Sequence, residues 1–123
     1  RPVRRRLVIR LRARTIAVFE GPRRLLVAPV AIGAPATPTP RGTFYVTASF
    51  HAANPALGAW ALETSARAAI SEWPGGGIVG IHGTPRPELL GEAVSHGCVR
   101  VSDRTALQLR RLAPPGTTVQ VRA

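Results

Sequence analysis

Apolar and polar residues alternate with a period of two over most of the first fifty positions. From Leu7 onward, aliphatic side chains fall on one face of the chain and arginines on the other. This pattern indicates half-buried strands with a solvated, charged outer face. It predicts strands over residues 7–14, 15–20, 25–32 and 43–50. We expect the first three to form an antiparallel meander, because the turn-forming pair Gly21-Pro22 separates the second from the third.

The second half of the chain contains fewer regular patterns. The proline-rich stretch 33–42 predicts a stiff, extended loop, because proline fixes the backbone and donates no hydrogen bond. The short apolar run 78–82 predicts a buried strand. Further predicted elements are a strand over 60–63, an ambiguous stretch over 65–73 that allows a short helix, a helix capped by Ser102 and ended by Pro114, and a strand over 117–122. Together they predict a mainly β fold, a sandwich or barrel, with one or two short helices.

The length of 123 residues fits a single domain, which we assign to residues 7–123 after a basic lead-in over residues 1–6. Hydrophobic residues make up 45% of the chain, which favours a globular protein over a disordered one. No apolar run approaches the roughly 20 residues of a membrane span, so we expect this piece not to cross a membrane. The chain lacks methionine, and we expect that an N-terminal signal or anchor segment is missing from it.

The charge balance is strongly basic. Seventeen arginines and no lysine stand against six acidic residues, a net charge of +11. Such a balance favours anionic partners, nucleic acid or a wall polymer among them. The arginines are nevertheless spread along the chain without a nucleic-acid-binding motif, so we expect no specific nucleic acid partner. The arginine-only, alanine- and proline-rich composition also indicates a bias of the coding sequence.

Cys98 is the only cysteine, which excludes an internal disulfide framework. A lone cysteine is a buried apolar residue, an incidental thiol or a nucleophile. A nucleophilic thiol needs a base and donors for the oxyanion that forms at an attacked carbonyl. His82 and His96 lie on either side of a loop close to Cys98 in the sequence, and Gly97 leaves space beside the thiol. The backbone N–H groups of Gly97 and Cys98 could therefore face a substrate, with Cys98 on an exposed loop.

Spacing alone makes a Cys–His pair a weak signal, but three short motifs are more specific. Residues 81–84 are Ile-His-Gly-Thr, residues 95–100 are Ser-His-Gly-Cys-Val-Arg, and residues 39–42 are Thr-Pro-Arg-Gly. In this order, between opening strands and a short helix with a last strand, they resemble the signature of the YkuD-type L,D-transpeptidase catalytic domain. The resemblance spans nearly the whole chain and implies that family's mainly β sandwich or barrel.

The resemblance implies an enzyme of cell wall biogenesis and cell shape that works outside the cytoplasmic membrane, in the periplasm or cell wall. Its partners would be the stem peptides of peptidoglycan. A cysteine of this family attacks the carbonyl of the third stem residue, a diamino acid, and expels the terminal D-Ala. An amine of a second stem then takes the acyl group from the thioester. Carbapenems acylate such enzymes and would act as inhibitors.

Roles for individual residues follow from the same resemblance. Cys98 matches the nucleophile and His82 the general acid/base. Gly83 matches the position whose backbone carbonyl orients that imidazole, and it lacks the serine side chain that some relatives have there. Gly97 and Cys98, with His96, match the oxyanion donors, although His96 also competes with His82 for the role of base.

Three further positions are candidates for substrate binding. Arg100 either holds a substrate carboxylate or forms a structural ion pair below the loop. Ser95 and Thr84 either contact substrate or satisfy local backbone groups. His51 lies far from the motifs, and the segment 60–77 is the candidate cover over Cys98. No pair of ligands has the short spacing of a zinc site, so we expect neither a metal nor another cofactor.

Several functions remain open at this point. Water in place of the acceptor amine would make the enzyme an L,D-carboxypeptidase or endopeptidase. A non-catalytic basic module would bind an anionic wall polymer or nucleic acid with a steep salt dependence. A sortase-like transpeptidase is a third alternative, but it needs a more distant histidine, and His51 is a poor candidate for it. The oligomeric state, the diamino acid and the acceptor are not determined by the sequence.

Overall fold

The computed structural model describes residues 4–68, 71, 73 and 77–123. Within these residues the chain forms ten strands and one α-helix. The strands are β1 (Arg5–Arg10), β2 (Thr15–Glu20), β3 (Arg23–Pro29), β4 (Ile32–Gly33), β5 (Gly42–Phe50), β6 (Ala61–Arg67), β7 (Ile78–His82), β8 (Ala93–Ser95), β9 (Val99–Arg100) and β10 (Thr118–Arg122). The helix α1 spans Asp103–Leu112, and two single 3₁₀ turns occupy Pro55–Leu57 and Pro87–Leu89. The fold is mainly β, as predicted.

Eight strands form one curled sheet in the order β3-β2-β1-β10-β5-β6-β7-β9. The predicted antiparallel meander of β1, β2 and β3 is confirmed. At the centre of the sheet β1 runs parallel to β10, with Leu7 opposite Val119 and Ile9 opposite Val121. At the far edge β7 runs parallel to β9. The short strands β4 and β8 form a separate parallel pair.

One face of the sheet carries the main core. Its buried members are aliphatic, and they include Leu7, Ile9, Ile16, Val18, Val46, Leu62, Ile81, Val99, Val119 and Leu109. Full burial of each such side chain contributes about 1.5–3 kcal/mol. The helix α1 packs its apolar stripe against this cluster, so the core connects the outer strands to the edge that carries β7 and β9.

The helix begins where the sequence predicts it. Ser102 accepts a hydrogen bond from the Thr105 amide at 3.0 Å through its hydroxyl, which caps the first turn. The last turn of α1 carries Arg110 and Arg111, whose positive charges suit the C-terminal end of a helix. The Arg110 guanidinium also lies 4.7 Å from the centre of the Trp60 ring. Among the described residues, no helix has the length and apolar character that crossing a membrane requires.

Several predicted element boundaries are wrong. The strand predicted over 7–14 begins at Arg5 and ends at Arg10, because residues 11–14 turn through Arg14, whose φ is +55°. The strand predicted over 25–32 divides into β3 and β4. The strand predicted over 60–63 extends to Arg67, so the ambiguous stretch 65–73 starts as a strand, while residues 69, 70 and 72 lie outside the described residues. The strands β8 and β9, and the last residue of β4, lie where the sequence predicted no strand, and their partners are distant in the sequence.

Candidate active site

The parallel strands β7 and β9 bring the predicted catalytic residues together. Ile81 lies opposite Val99, and both side chains belong to the main core. His82 is the last residue of β7 and Cys98 directly precedes β9, so by the alternation of side chains both project from the opposite face. Both side chains lie against Trp73: Cys98 belongs to the same buried cluster, and the His82 ring is 6.4 Å from the indole between centroids. The fold thus places an imidazole and a thiol at one site.

The His82 ring is held by the residue that follows it. Its Nδ1 lies 2.6 Å from the carbonyl oxygen of Gly83, and the side chain is 1% exposed. A carbonyl oxygen only accepts hydrogen bonds, so Nδ1 carries the proton in this contact. The neutral imidazole then has its lone pair on Nε2. This is the tautomer in which Nε2 can serve as a general base.

The Cys98 side chain is fully buried, at 0% exposure, so the predicted exposed position is wrong. It belongs to a small apolar cluster with Leu57, Ala61 and Trp73, which come from segments that the sequence keeps far apart. The Gly80 amide donates to the sulfur at 3.3 Å. The thiol in turn donates to the Ile78 carbonyl at 3.9 Å. The sulfur is therefore in an environment that is apolar but contains a directed N–H group.

Trp73 forms one wall of this cluster. Its indole lies edge-on to the Phe50 ring at 5.8 Å between centroids and 6.4 Å from the His82 ring. A Cβ atom added to Gly80 would collide with the indole, so glycine is needed there for the close approach. Trp73 belongs to the segment 60–77 predicted to cover Cys98, of which residues 69, 70, 72 and 74–76 lie outside the described residues.

The turn before Cys98 is organised by Ser95, which is 0% exposed. Its hydroxyl donates to the Cys98 carbonyl at 2.6 Å and accepts from the Gly97 amide at 3.1 Å. Gly97 itself has φ of +122°, a conformation that favours glycine. The Ser95 hydroxyl is therefore engaged by local backbone groups, and the Gly97 amide faces Ser95.

Thr39 links the Thr-Pro-Arg-Gly motif to the same turn. It is buried, donates to the Gly97 carbonyl at 2.8 Å and accepts from the Gly33 amide at 3.0 Å. Thr37, two residues earlier, donates to the Ser95 carbonyl at 2.8 Å. That carbonyl also accepts from Ala34 at 2.9 Å, so it has a second partner. The proline-rich loop thus fixes the backbone on which Cys98 is carried.

We expect Thr39→Val to destabilise the fold and to slow reactions of the Cys98 thiol. Valine keeps the shape but leaves the Gly97 carbonyl and the Gly33 amide without their partner, at a cost of about 1–3 kcal/mol for each buried group. Urea unfolding and the rate of thiol alkylation measure the two effects. Thr37→Val is the matched control, since the Ser95 carbonyl keeps its bond from Ala34. Equal losses in both variants would contradict the special role of Thr39.

A cavity of about 170 Å³ opens beside His82. Thr84, Arg86 and Arg100 line it together with His82. Arg86 donates to Glu88 at 2.5 Å, and this side-chain hydrogen bond raises the pKa of Arg86 and lowers that of Glu88, so both are charged at neutral pH. The cavity therefore combines guanidinium groups with the imidazole, which suits a carboxylate-bearing ligand.

The remaining predicted residues are distributed around this site. The Thr84 hydroxyl accepts from the Arg86 amide at 3.0 Å, which is a local backbone contact. Arg100 lies opposite His82 in the strand register and is partly buried. His96 is exposed at the surface of the turn. His51 is also exposed, in the loop after β5. Among the described residues, no group of three or more His, Cys, Asp or Glu side chains is arranged to hold a metal ion.

A second cavity, of about 650 Å³, lies away from these residues. Arg4, Arg5 and Arg6 line it with the 114–118 loop. Two of these arginines have internal partners: Arg5 pairs with Glu20 at 3.6 Å, and Arg6 donates to the Gly21 carbonyl at 3.0 Å. None of the candidate site residues lines the larger cavity, whereas His82, Thr84 and Arg100 line the smaller one.

Asp103 is a residue of the site that sequence reasoning treated only as a first-turn helix residue. One of its carboxylate oxygens, Oδ1, accepts from the Ala59 amide at 3.0 Å and from the Thr84 amide at 3.2 Å. A Cβ atom added to Gly58 or Gly83 would collide with that oxygen. These two glycines were the sequence signal that a side chain packs closely here.

A comparison with known protein families matches nearly the whole chain. The family model of the L,D-transpeptidase catalytic domain, YkuD, matches residues 4–121. The chain belongs to the YkuD-type L,D-transpeptidase family. The resemblance inferred from the three motifs is confirmed. This is a family of acyltransferases.

Among curated relatives, the YkuD protein of Bacillus licheniformis is 34% identical over 116 residues. The match covers 94% of this chain but 64% of that protein. The chain therefore spans less than two thirds of the length of this L,D-transpeptidase relative.

Solved structures of L,D-transpeptidases share the fold. An L,D-transpeptidase from Mycobacterium smegmatis superposes with a TM-score of 0.79 at 24% identity, covering 98% of this chain and 59% of that one. L,D-transpeptidase 3 from Mycobacterium tuberculosis, in complex with a faropenem-derived adduct, gives a TM-score of 0.78 at 20% identity, covering 98% and 61%. Nearly all of this chain therefore has the fold of a part of these L,D-transpeptidases.

Proposed function

We propose that this chain is a peptidoglycan L,D-transpeptidase domain in which Cys98 is the nucleophile and His82 the general base. The observation that carries the proposal is that His82, at the end of β7, and Cys98, directly before β9, both lie against Trp73, with His82 Nδ1 held on the Gly83 carbonyl. That contact leaves Nε2 as the basic nitrogen of the ring. The family membership supplies the reaction class.

In the proposed acylation step, His82 Nε2 takes the proton of the Cys98 thiol. The sulfur attacks the carbonyl of the third stem residue, a diamino acid, and forms the C–S bond. As the tetrahedral intermediate collapses, the C–N bond to D-Ala breaks and the imidazolium returns its proton to the leaving amine. The product is a thioester of Cys98.

In the second step an amine of another stem attacks the thioester carbonyl. His82 takes a proton from this amine, and the Cys98 thiolate leaves and is protonated again. One amide bond has then been exchanged for another, so no cofactor is consumed. This balance explains how a cross-link forms without an external energy source.

The oxyanion of each step needs hydrogen-bond donors. In the proposal these are the Cys98 amide and His96, with Gly97 shaping the turn between them. The Gly97 amide itself donates to Ser95 in this structure. Arg100, beside His82, would bind a carboxylate of the stem, and Thr84 lines the same cavity.

The proposed substrate determines where in the cell the enzyme would act. Peptidoglycan stems lie outside the cytoplasmic membrane, so the proposal puts this domain in the periplasm or the cell wall. The net charge of +11 suits an anionic wall environment. A solved L,D-transpeptidase with the same fold is in complex with imipenem, a carbapenem, and we propose that carbapenems acylate Cys98 in this chain.

The test uses purified stem tetrapeptides containing a diamino acid with a free amine. We expect a cross-linked dimer together with release of D-Ala, both measured by mass spectrometry. Release of D-Ala without a dimer would replace the transpeptidase with an L,D-carboxypeptidase. No release of D-Ala by the folded protein would overturn both and favour the non-catalytic wall-binding alternative.

A further inference from the structure

We propose that Asp103 positions the general base through a single peptide group, the one that joins Gly83 to Thr84. The proposal rests on the assignment of His82 as that base. Asp103 would be a positioning residue, because it contacts neither the thiol nor the imidazole in any bond described above. It acts on the backbone that holds the imidazole.

The two hydrogen bonds involved share one planar unit. The N–H of this unit belongs to Thr84 and donates to Asp103 Oδ1 at 3.2 Å. The C=O belongs to Gly83 and accepts from His82 Nδ1 at 2.6 Å. A peptide group is rigid and its N–H and C=O point in opposite directions. Fixing the N–H by the carboxylate therefore fixes the direction of the carbonyl that orients His82.

The carboxylate also changes the strength of the second bond. Hydrogen bonds in a chain polarise one another, and a bond to an ionised acceptor is stronger than one between neutral groups. With the Thr84 N–H bound to a carboxylate, the Gly83 carbonyl becomes a better acceptor for His82 Nδ1–H. The His82 ring is thereby held in the tautomer with the lone pair on Nε2.

The surrounding backbone is built for this contact. The Gly83 amide donates to the Trp60 carbonyl at 3.1 Å, so the residue is held on both sides. Asp103 Oδ1 also binds the Ala59 amide at 3.0 Å, which brings the 58–59 loop against the same point. Gly58 has φ of +68°, and neither glycine leaves room for a side chain beside Oδ1. The absence of a side chain at Gly83 is therefore what admits the carboxylate.

A purely structural role is the competing explanation, since Asp103 is the first residue of α1. An acidic residue in a first turn stabilises a helix by its charge alone. That role would alter the stability of the fold but not the tautomer of His82. The test therefore needs a spectroscopic readout of the imidazole beside the kinetic one.

The experiment compares Asp103→Ala and Asp103→Asn with the wild type and with Ser102→Ala. Ser102→Ala removes the helix cap without touching Gly83 and serves as the matched control. One readout is the rate constant of Cys98 acylation by a carbapenem, followed by intact mass. The other is the pair of ¹⁵N chemical shifts of the His82 ring, assigned with His82→Asn.

We expect Asp103→Ala to slow acylation about 10- to 100-fold, by analogy with the loss when a partner that orients a metal-bound histidine is removed. The His82 shifts should change from those of a single Nδ1–H tautomer to those of a mixture. Asp103→Asn keeps an acceptor oxygen and should stay within about threefold of the wild-type rate, well below the loss expected for Asp103→Ala. Ser102→Ala should lower the melting temperature and leave both the rate and the shifts unchanged.

Wild-type shifts and rate in a folded Asp103→Ala protein would overturn the proposal, as would an equal slowing by Ser102→Ala. If Asp103→Ala does not fold, Asp103→Glu replaces it, since glutamate keeps the first-turn charge but pushes its carboxylate into the space that Gly58 and Gly83 close. An Asp103→Glu protein with the wild-type acylation rate and the wild-type His82 shifts would then overturn the proposal. The ring shifts do not depend on turnover, so failure of the proposed function and failure of this inference are distinguishable.

Discussion

Replacing Cys98 with alanine is expected to abolish covalent modification of this protein by a carbapenem. The wild type should gain the mass of a single drug molecule, because the ring-opened drug remains attached to the sulfur as an acyl group. Alanine has no nucleophile, and Cys98 is the only cysteine in the chain. Intact-protein mass spectrometry after brief exposure measures the result. The expected loss is complete, the largest effect of any single substitution proposed for this domain.

The control for this experiment is the stability of the variant. Cys98 is buried among Leu57, Ala61 and Trp73, so removing the sulfur leaves a small void at a cost of about 1 kcal/mol. A thermal melt should therefore show a folded protein with a modestly lower midpoint. An adduct on folded Cys98→Ala would mean that the nucleophile is another residue. Absence of an adduct on the folded wild type would indicate that the site does not react.

The second large effect is expected from His82→Asn. Asparagine can still donate to the Gly83 carbonyl from a position close to that of Nδ1, but it has no nitrogen that can take the thiol proton. General acid–base groups contribute about 10²- to 10⁴-fold to a rate, and we expect a loss of that size in acylation. Stopped-flow or mass-based acylation kinetics measure it, with circular dichroism to show that the buried position tolerates the change.

The variants His96→Ala and His51→Ala distinguish the contribution of His82 to the acylation rate from those of the other two histidines. His96 is exposed on the turn, and its loss should reduce the rate much less than the loss of His82. His51 is exposed in a loop outside the site and should give the wild-type rate. If His96→Ala alone removed the reactivity, the assignment of the base would be wrong.

Local signals predicted some elements correctly. The strand over 78–82 is a short apolar run between glycines and a polar stretch, and it matches β7 residue for residue. The helix carries its own N-cap in Ser102 and its own stop in Pro114, so its limits are encoded within a few residues. The short motifs around His82 and Cys98 also identified the family, because their spacing and order are specific.

Other features depend on contacts between distant parts of the chain. Periodicity describes which face of a strand is buried but not which strand lies beside it, so the parallel pairing of β1 with β10 could not be derived. The burial of Cys98 depends on Leu57 and Trp73. The sequence around Cys98 contains no pattern that predicts contacts with these distant residues. Asp103 looked like an ordinary helix residue because the two backbone amides that it binds come from other segments.

The central pair of strands determines when this domain can be completed. β1 lies near the start of the chain and β10 near its end, yet each is the other's neighbour in the sheet, and β10 alone connects β1 to β5. During synthesis the first three strands therefore have no strand partner in the rest of the eight-stranded sheet until β10 has been made. Contacts of such long sequence separation are formed slowly. We expect a chain shortened by its last strand to remain unfolded and protease-sensitive rather than to act as a smaller enzyme.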